Sequence, residues 1–272
     1  MITNNRNGTD RAVRIRGLNV HTRRRPGPAT PPLLLINGLG GSLTSWGPLL
    51  QQLPNRDVIM IDTPGAGRSQ TPPLPLRLTA LADIIAEATR VLAVERVDVL
   101  GFSLGGTLAQ EFARRHPTML RRLILVGTMH GLGARPVPLR ASRLLLSTKR
   151  YRDSDTARRD MPRLAGGRTA REPGTLTALA AARESYPPSV RGYYYQQLAV
   201  IGWSSWRWLK RLDVPTLVLH GGADPVVPKV NARLLASRIP DAQLEIIGGA
   251  GHLVLFDEPE KAAPIIERFL EH

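Results

Sequence analysis

The sequence predicts an α/β fold: a mostly parallel central sheet flanked by helices, with a helical segment inserted before the last two strands. Three observations carry this. Short apolar runs closed by glycine turns recur in the first half and again near the C-terminus, as strands buried on both faces do. Stretches with helical spacing of apolar residues fall between the runs, and strand-helix alternation builds parallel sheets. The alternation stops between residues 131 and 212 and then resumes.

In chain order, residues 33–36 (LLLI) form the first run, ending at Asn37-Gly38-Leu39-Gly40-Gly41. Residues 58–61 (VIMI) end at Asp62-Thr63-Pro64-Gly65, 97–100 (VDVL) at Gly101, and 123–126 (LILV) at Gly127. Residues 216–219 (TLVL) and 244–247 (LEII) repeat the pattern. Between them Leu78, Leu81, Ile84, Ile85, Ala88, Val91 and Leu92 trace one helical face. Residues 104–115 and 231–238 are further helices. The last helix starts near Pro259, a favoured first-turn residue, and buries Ala263, Ile266, Phe269 and Leu270.

Residues 131–212 are helical, proline-punctuated and strongly basic, with eleven basic residues from Arg135 to Arg171. Tyr193, Tyr194, Tyr195, Trp203, Trp206 and Trp208 cluster at the end of the segment. Such an insertion lies on the ligand-binding side of a parallel sheet, so it reads as a lid over a cleft. The alternative is a helical subdomain whose aromatics fill its own core. The expected organisation is a core of residues 1–130 and 213–272 with a helical lid of residues 131–212.

The net charge of +15 comes mostly from arginine: four of the 37 basic residues are lysines, leaving 33 arginines. Genomic base composition produces such a skew as readily as a partner does. There is no aromatic-basic stacking platform, zinc knuckle or recognition-helix signature, so no nucleic-acid partner is expected. No run of about 18 apolar residues is present to span a membrane, and the charged N-terminus has no apolar stretch after it. With no cysteine there are no disulfides or thiolate metal sites. A cytoplasmic protein is the expectation.

Gly101-Phe102-Ser103-Leu104-Gly105 is a G-x-S-x-G motif between a strand and a helix. Its glycines permit a sharp turn that presents the serine at the helix N-terminus. A serine hydroxyl needs a base within hydrogen-bond reach. His252 follows Gly248-Gly249-Ala250-Gly251 between the last strand and the last helix, where a loop can carry it over the serine. His220, at a strand end, is the rival; His21, His116, His130 and His272 fit local roles, His116 as a helix cap. The orienting carboxylate is Asp224, in the loop after residues 216–219, giving the order Ser…Asp…His. Asp62 reads as closing a turn and Asp83 as lying on a solvated helix face. The N–H groups of Leu104 and Leu39 are the candidate oxyanion donors. The metal-free set implies no cofactor.

The motifs NGLGGS, DTPGAGRS, GFSLGG, HGGADPVVP and GGAGH resemble the α/β-hydrolase superfamily over nearly the whole chain. A closer resemblance is to the intracellular depolymerases of medium-chain poly(3-hydroxyalkanoates). Its carriers are Asn37-Gly38, Gly192-Tyr193-Tyr194-Tyr195-Gln196, Gly202-Trp203, Trp208, residues 233–240 and Ala263-Pro264-Ile265-Ile266. One departure is Leu104, where the depolymerase motif has tryptophan after the nucleophile. The resemblance implies an ester hydrolase with Asn37, Tyr194 and Trp203 as substrate-binding candidates. The implied substrate is a 3-hydroxyalkanoate or other medium-chain ester, with polymer granules as a partner surface. The same motifs would also serve a C–C bond or lactone hydrolase, a cofactor-free perhydrolase, or a ligand-binding protein without turnover.

Overall fold

A computed structural model describes residues 8–172, 174–175 and 186–271. Positions 173 and 176–185 of the expected insertion, residues 1–7 and His272 lie outside the described residues. Eight strands form one sheet in the order β1-β2-β4-β3-β5-β6-β7-β8. They are β1 (Thr9–Ile15), β2 (Leu18–Arg25), β3 (Ala29–Ile36), β4 (Arg56–Ile61), β5 (Val97–Phe102), β6 (Leu120–Val126), β7 (Thr216–Gly221) and β8 (Gln243–Ile247). From β4 to β8 every neighbouring pair is parallel, while β1–β2 and β2–β4 are antiparallel.

Apolar residues run without interruption through the central strands because successive side chains enter different cores. Leu34, Ile36, Ile59, Ile61, Val97, Val99, Leu123 and Leu125 fill one core. Leu33, Leu35, Val58, Met60, Leu100, Phe102, Ile124 and Val126 fill the other. Helices α2 (Leu78–Val91), α3 (Leu104–Arg115) and α8 (Val230–Arg238) cover the first core. Helices α1 (Gly47–Gln52), α9 (Val254–Asp257) and α10 (Pro259–Glu271) cover the second. Each fully buried Leu, Ile or Val contributes about 1.5–3 kcal/mol.

The sheet departs from the sequence reading at both edges. The charged N-terminal stretch is a β-hairpin, β1–β2, turning through Arg16 and Gly17 at φ 47 and 81, as a two-residue hairpin turn requires. Exposed Arg14 and Asn19 alternate with Val13, Ile15, Leu18 and Val20, which join the first core. At the other edge β8 is not buried on both faces: Gln243, Leu244 and Glu245 are exposed.

Between β6 and β7 the chain leaves the sheet to form α4 (Leu139–Leu145), α5 (Ser154–Ala165), α6 (Gly167–Arg171) and α7 (Val190–Ala199). Side-chain caps start two of them: Asp153 accepts from Thr156 N at 2.6 Å and Ser189 from Gly192 N at 2.9 Å. An isolated bridge, Gly131 to Ser204, ties the ends of the excursion together. From β3 the chain moves to β4 on one side and then back to β5 on the other. The loops after β3 and β5 therefore diverge at adjacent strand ends, the crevice where open α/β sheets bind ligands.

Candidate active site

Ser103 joins β5 to α3 with φ 53 and ψ −120. A non-glycine residue in this region carries about 1–3 kcal/mol of strain and stays there only if its surroundings hold it. Its N–H donates to Val126 O at 2.9 Å. Its carbonyl accepts from Gly106 N at 2.8 Å and from Thr128 Oγ1 at 2.7 Å. The flanking glycines are required by close approach: a Cβ on Gly101 would lie 2.4 Å from Gly105 O, and one on Gly105 would lie 2.2 Å from Ile36 O.

His252 Nε2 lies 3.0 Å from Ser103 Oγ, and His252 Nδ1 lies 2.7 Å from Asp224 Oδ2. A proton on Nδ1, donated to the carboxylate, leaves Nε2 as the acceptor for the serine hydroxyl. Asp224 is fixed by its own turn, where Oδ1 accepts from Val226 N at 2.7 Å and Val227 N at 2.8 Å. The imidazole is nearly buried and packs on the Phe102 ring at a centroid distance of 5.0 Å. Its rival, His220, is fully buried at the end of β7, behind Asp224. There its Nε2 pairs with Val227 O at 3.0 Å and lies 3.8 Å from Asp224 Oδ2. Burial holds its pKa below the ordinary histidine value, against the pull of Asp224.

The loop after β3 passes directly beside the serine; a Cβ on Gly38 would lie 3.1 Å from Ser103 Cβ. Asn37 folds this loop back on itself, donating from Nδ2 to Ser42 O and accepting Gly38 N on Oδ1, both at 2.8 Å. Tyr151 Oη donates to Leu39 O at 2.9 Å, and Gly40 N donates to Gln196 Oε1 at 2.9 Å. Leu39 and Leu104 both border the cavity at Ser103. Among the described residues neither of their N–H groups has a protein acceptor. At Leu104 this follows from its place in the first turn of a helix, where N–H groups have no intrahelical partner and the dipole favours negative charge.

Two compartments meet at Ser103 and His252. The larger, about 420 Å³, is lined mainly by aliphatic groups, among them Met129, Val137, Leu145, Leu146, Val200 and Val227. The smaller, about 70 Å³, includes Asn37, Ser45, Arg150 and Tyr151.

A family model described as alpha/beta hydrolase fold matches residues 31–259. The chain belongs to the α/β-hydrolase fold family. It is 39% identical over 263 residues to a poly(3-hydroxyalkanoate) depolymerase of Ectopseudomonas oleovorans, covering 96% of this chain and 92% of that one. It is 31% identical over 250 residues to a pimeloyl-[acyl-carrier protein] methyl ester esterase of Aromatoleum aromaticum, covering 87% and 97%. Among solved structures, a hydrolase from Pseudomonas aeruginosa PA01 matches with a TM-score of 0.82 at 26% identity, covering 98% and 100%. The family and the depolymerase relative support an ester-hydrolysing enzyme.

In this α/β hydrolase, two of the three residues expected to bind substrate stand elsewhere. Tyr194 is partly exposed, gives its hydroxyl to Leu146 O at 2.8 Å, and borders neither compartment. Trp203 packs against the first core and donates from Nε1 to Glu111 Oε2 at 3.0 Å. Trp206 rests on His130 and Arg238, and Trp208 on Trp203 and Arg114. The aromatics fasten the β6–β7 segment to the sheet, and aliphatic side chains line the cavity instead. Aromatic content marks where a segment packs as readily as where it binds, so composition did not separate the two. Arg150 was hidden for a similar reason, as one of eleven basic residues from Arg135 to Arg171.

Asp62 and Asp83, the other two carboxylates weighed, are engaged in local contacts. Asp62 accepts Leu43 N at 2.7 Å and Arg68 N at 2.9 Å and pairs with His21 Nδ1 at 3.0 Å. Asp83 is half-buried on its helix, where Arg115 grips it bidentately at 2.8 Å and His116 Nε2 approaches to 3.0 Å.

Proposed function

We propose that this α/β hydrolase is a serine carboxylic-ester hydrolase acting on 3-hydroxyalkanoate or other medium-chain acyl esters. The observation that carries the proposal is the unbroken hydrogen-bond chain from Asp224 through His252 to Ser103, at the junction of the two compartments. Ser103 Oγ attacks the ester carbonyl as His252 Nε2 takes its proton, and Asp224 stabilises the imidazolium that forms. The oxyanion accepts from the N–H groups of Leu39 and Leu104. His252 then protonates the leaving alcohol. A water activated by the same imidazole attacks the acyl-enzyme, releasing the acid and restoring the serine.

The aliphatic compartment supports a medium-length chain, and the depolymerase relative supports 3-hydroxy esters in particular. Residues 131–212 act as the lid in this reading. Leu139, Leu146, Leu198 and Ile201, exposed on that segment, favour contact with a hydrophobic polymer surface. The test is a panel of p-nitrophenyl esters of graded length beside an emulsion of medium-chain poly(3-hydroxyalkanoate). Turnover rising toward octanoate, with acid released from the polymer, supports the proposal in full. Absence of any ester hydrolysis removes it.

A further inference from the structure

The two compartments differ in charge. Among the described residues lining the larger one, His252 alone has an ionisable side chain. The smaller one is lined by Arg150, which is 6% exposed and, as a guanidinium, permanently charged. A buried cation is costly unless it is paired. Arg56, 4% exposed, meets this condition by pairing with Glu267 at 2.5 Å.

Arg150 has only neutral partners among the described residues. Nη1 donates to Leu144 O at 3.0 Å and to Ser147 O, and Nη2 donates to Tyr193 Oη at 2.5 Å. Burial pushes the Tyr193 phenol up to about 12, so its hydroxyl is a neutral partner at neutral pH. The guanidinium also lies over the rings of Tyr151 and Tyr193, at 4.7 and 5.3 Å. Its bonds to Leu144 and Ser147 tie down the end of α4, which explains its position. Among the described residues they leave a positive charge without a counter-ion in the lining of the compartment that Ser103 and His252 also border, where an anionic group gains most.

We propose that the smaller compartment receives a carboxylate of the substrate, recognised by Arg150, and that the enzyme prefers esters bearing a free carboxylate. The inference rests on the ester-hydrolase reading and narrows its substrate class. In a 3-hydroxyalkanoate oligomer the acid end is such a group: its carboxylate lies one methylene from the carbon bearing the ester oxygen. A compartment of about 70 Å³ suits that short polar end, while the alkyl chain falls to the one of about 420 Å³.

The experiment uses the full-length protein and the linear dimer of 3-hydroxyoctanoate, as the free acid and as its terminal amide. Wild type is expected to favour the acid by about tenfold or more in kcat/KM, the worth of one charge-assisted contact. Arg150→Gln is expected to bring the ratio close to one, mainly through KM for the acid, and Arg150→Lys to retain part of it. Equal turnover of acid and amide by wild type, or an unchanged ratio in Arg150→Gln, overturns the proposal. If Arg150→Gln fails to fold, competition on wild type decides. 3-Hydroxyoctanoate should inhibit p-nitrophenyl ester hydrolysis about tenfold more tightly than 3-hydroxyoctanamide, and equal inhibition overturns the proposal. A wild-type protein that cleaves none of these esters contradicts the esterase reading itself, a distinguishable result.

Discussion

The main-chain N–H of His252 donates to the carbonyl of Ala165 at 2.6 Å. Ala165 is the last residue of α5, so the loop carrying the proposed base hangs from the segment between β6 and β7. The contact is tight, since a Cβ on Gly251 would lie 2.0 Å from Ala165 O. Beyond it, Thr169 N and Oγ1 both donate to the buried Asp257 Oδ2, at 3.2 and 2.8 Å. The segment that borders the cavity also positions the imidazole.

Gly167→Ala tests that coupling. Gly167 has φ 54, and a Cβ there would lie 2.3 Å from Gly251 N. The left-handed backbone costs about 1–2 kcal/mol and the overlap about 1–3 kcal/mol more. We expect kcat on p-nitrophenyl octanoate to fall at least about tenfold, together with a lower Tm. Gly248→Ala, in the loop that carries His252 and with open space around its Cβ, should change neither. A Gly167→Ala enzyme with kcat within about twofold of wild type would separate the segment from the base.

Asp224→Asn should lower kcat by about 10⁴-fold by favouring the wrong imidazole tautomer. Asp62→Asn should spare turnover relative to Asp224→Asn and act mainly on stability, because Asp62 holds the Leu43 and Arg68 amides. Steady-state kinetics and thermal melts on both variants check this. Near-silence of Asp224→Asn would move the orienting role to another carboxylate.

Strands β3 to β7 were legible because each sends apolar residues into two cores, which leaves a run such as LLLI in the sequence, whereas β8 carries a similar run with its first three residues exposed. The β1–β2 hairpin was not. Charge masked its alternation of period two: Arg14 and Asn19 fall between the core residues, and Arg23 and Arg24 pair with Asp10 and Asp57 at the far end. Ser103, Asp224 and His252 were legible because each follows a strand in a glycine- or proline-marked turn, so local signals fixed their places. Tyr194 and Trp203 border neither compartment, because the direction a side chain faces on the β6–β7 segment depends on tertiary packing. Arg150 shows the same limit: the role proposed for it rests on its having only neutral partners among the described residues, a property of three dimensions.

The large compartment predicts a chain-length preference. kcat/KM should rise from acetate to octanoate esters, and Val200→Phe, which adds volume to the lining, should shift the optimum toward shorter chains. For neutral p-nitrophenyl esters the gain should change little between low and high salt, since apolar burial is not screened as charge attraction is. A preference for acetate, or activity collapsing with salt, would contradict an apolar acyl site.

His220 sets an acid limb on stability. Its folded pKa is lowered by burial, reinforced by His252 and opposed by Asp224. Above the unfolded value near 6.5 both states hold it neutral and stability is complete. As pH falls below that value the unfolded chain takes up a proton that the folded one resists, so stability drains by up to about 1.4 kcal/mol per pH unit. Replacement by Gln, which keeps a donor for Val227 O, should flatten the urea-midpoint profile between about pH 5 and 7. Parallel profiles for the two proteins would remove His220 from this role.

Covalent labelling of Ser103 tests the central claim most directly. A fluorophosphonate reacts with a serine only where a base activates the hydroxyl and donors hold the developing oxyanion. The purified protein, labelled and digested, should carry one adduct, on the peptide containing Ser103, with ester hydrolysis lost in step with its formation. Ser103→Ala should fold normally, take no label and lose about 10⁴-fold or more in turnover. An adduct on another residue, or a Ser103→Ala protein that keeps more than about a tenth of wild-type turnover, would contradict the assignment.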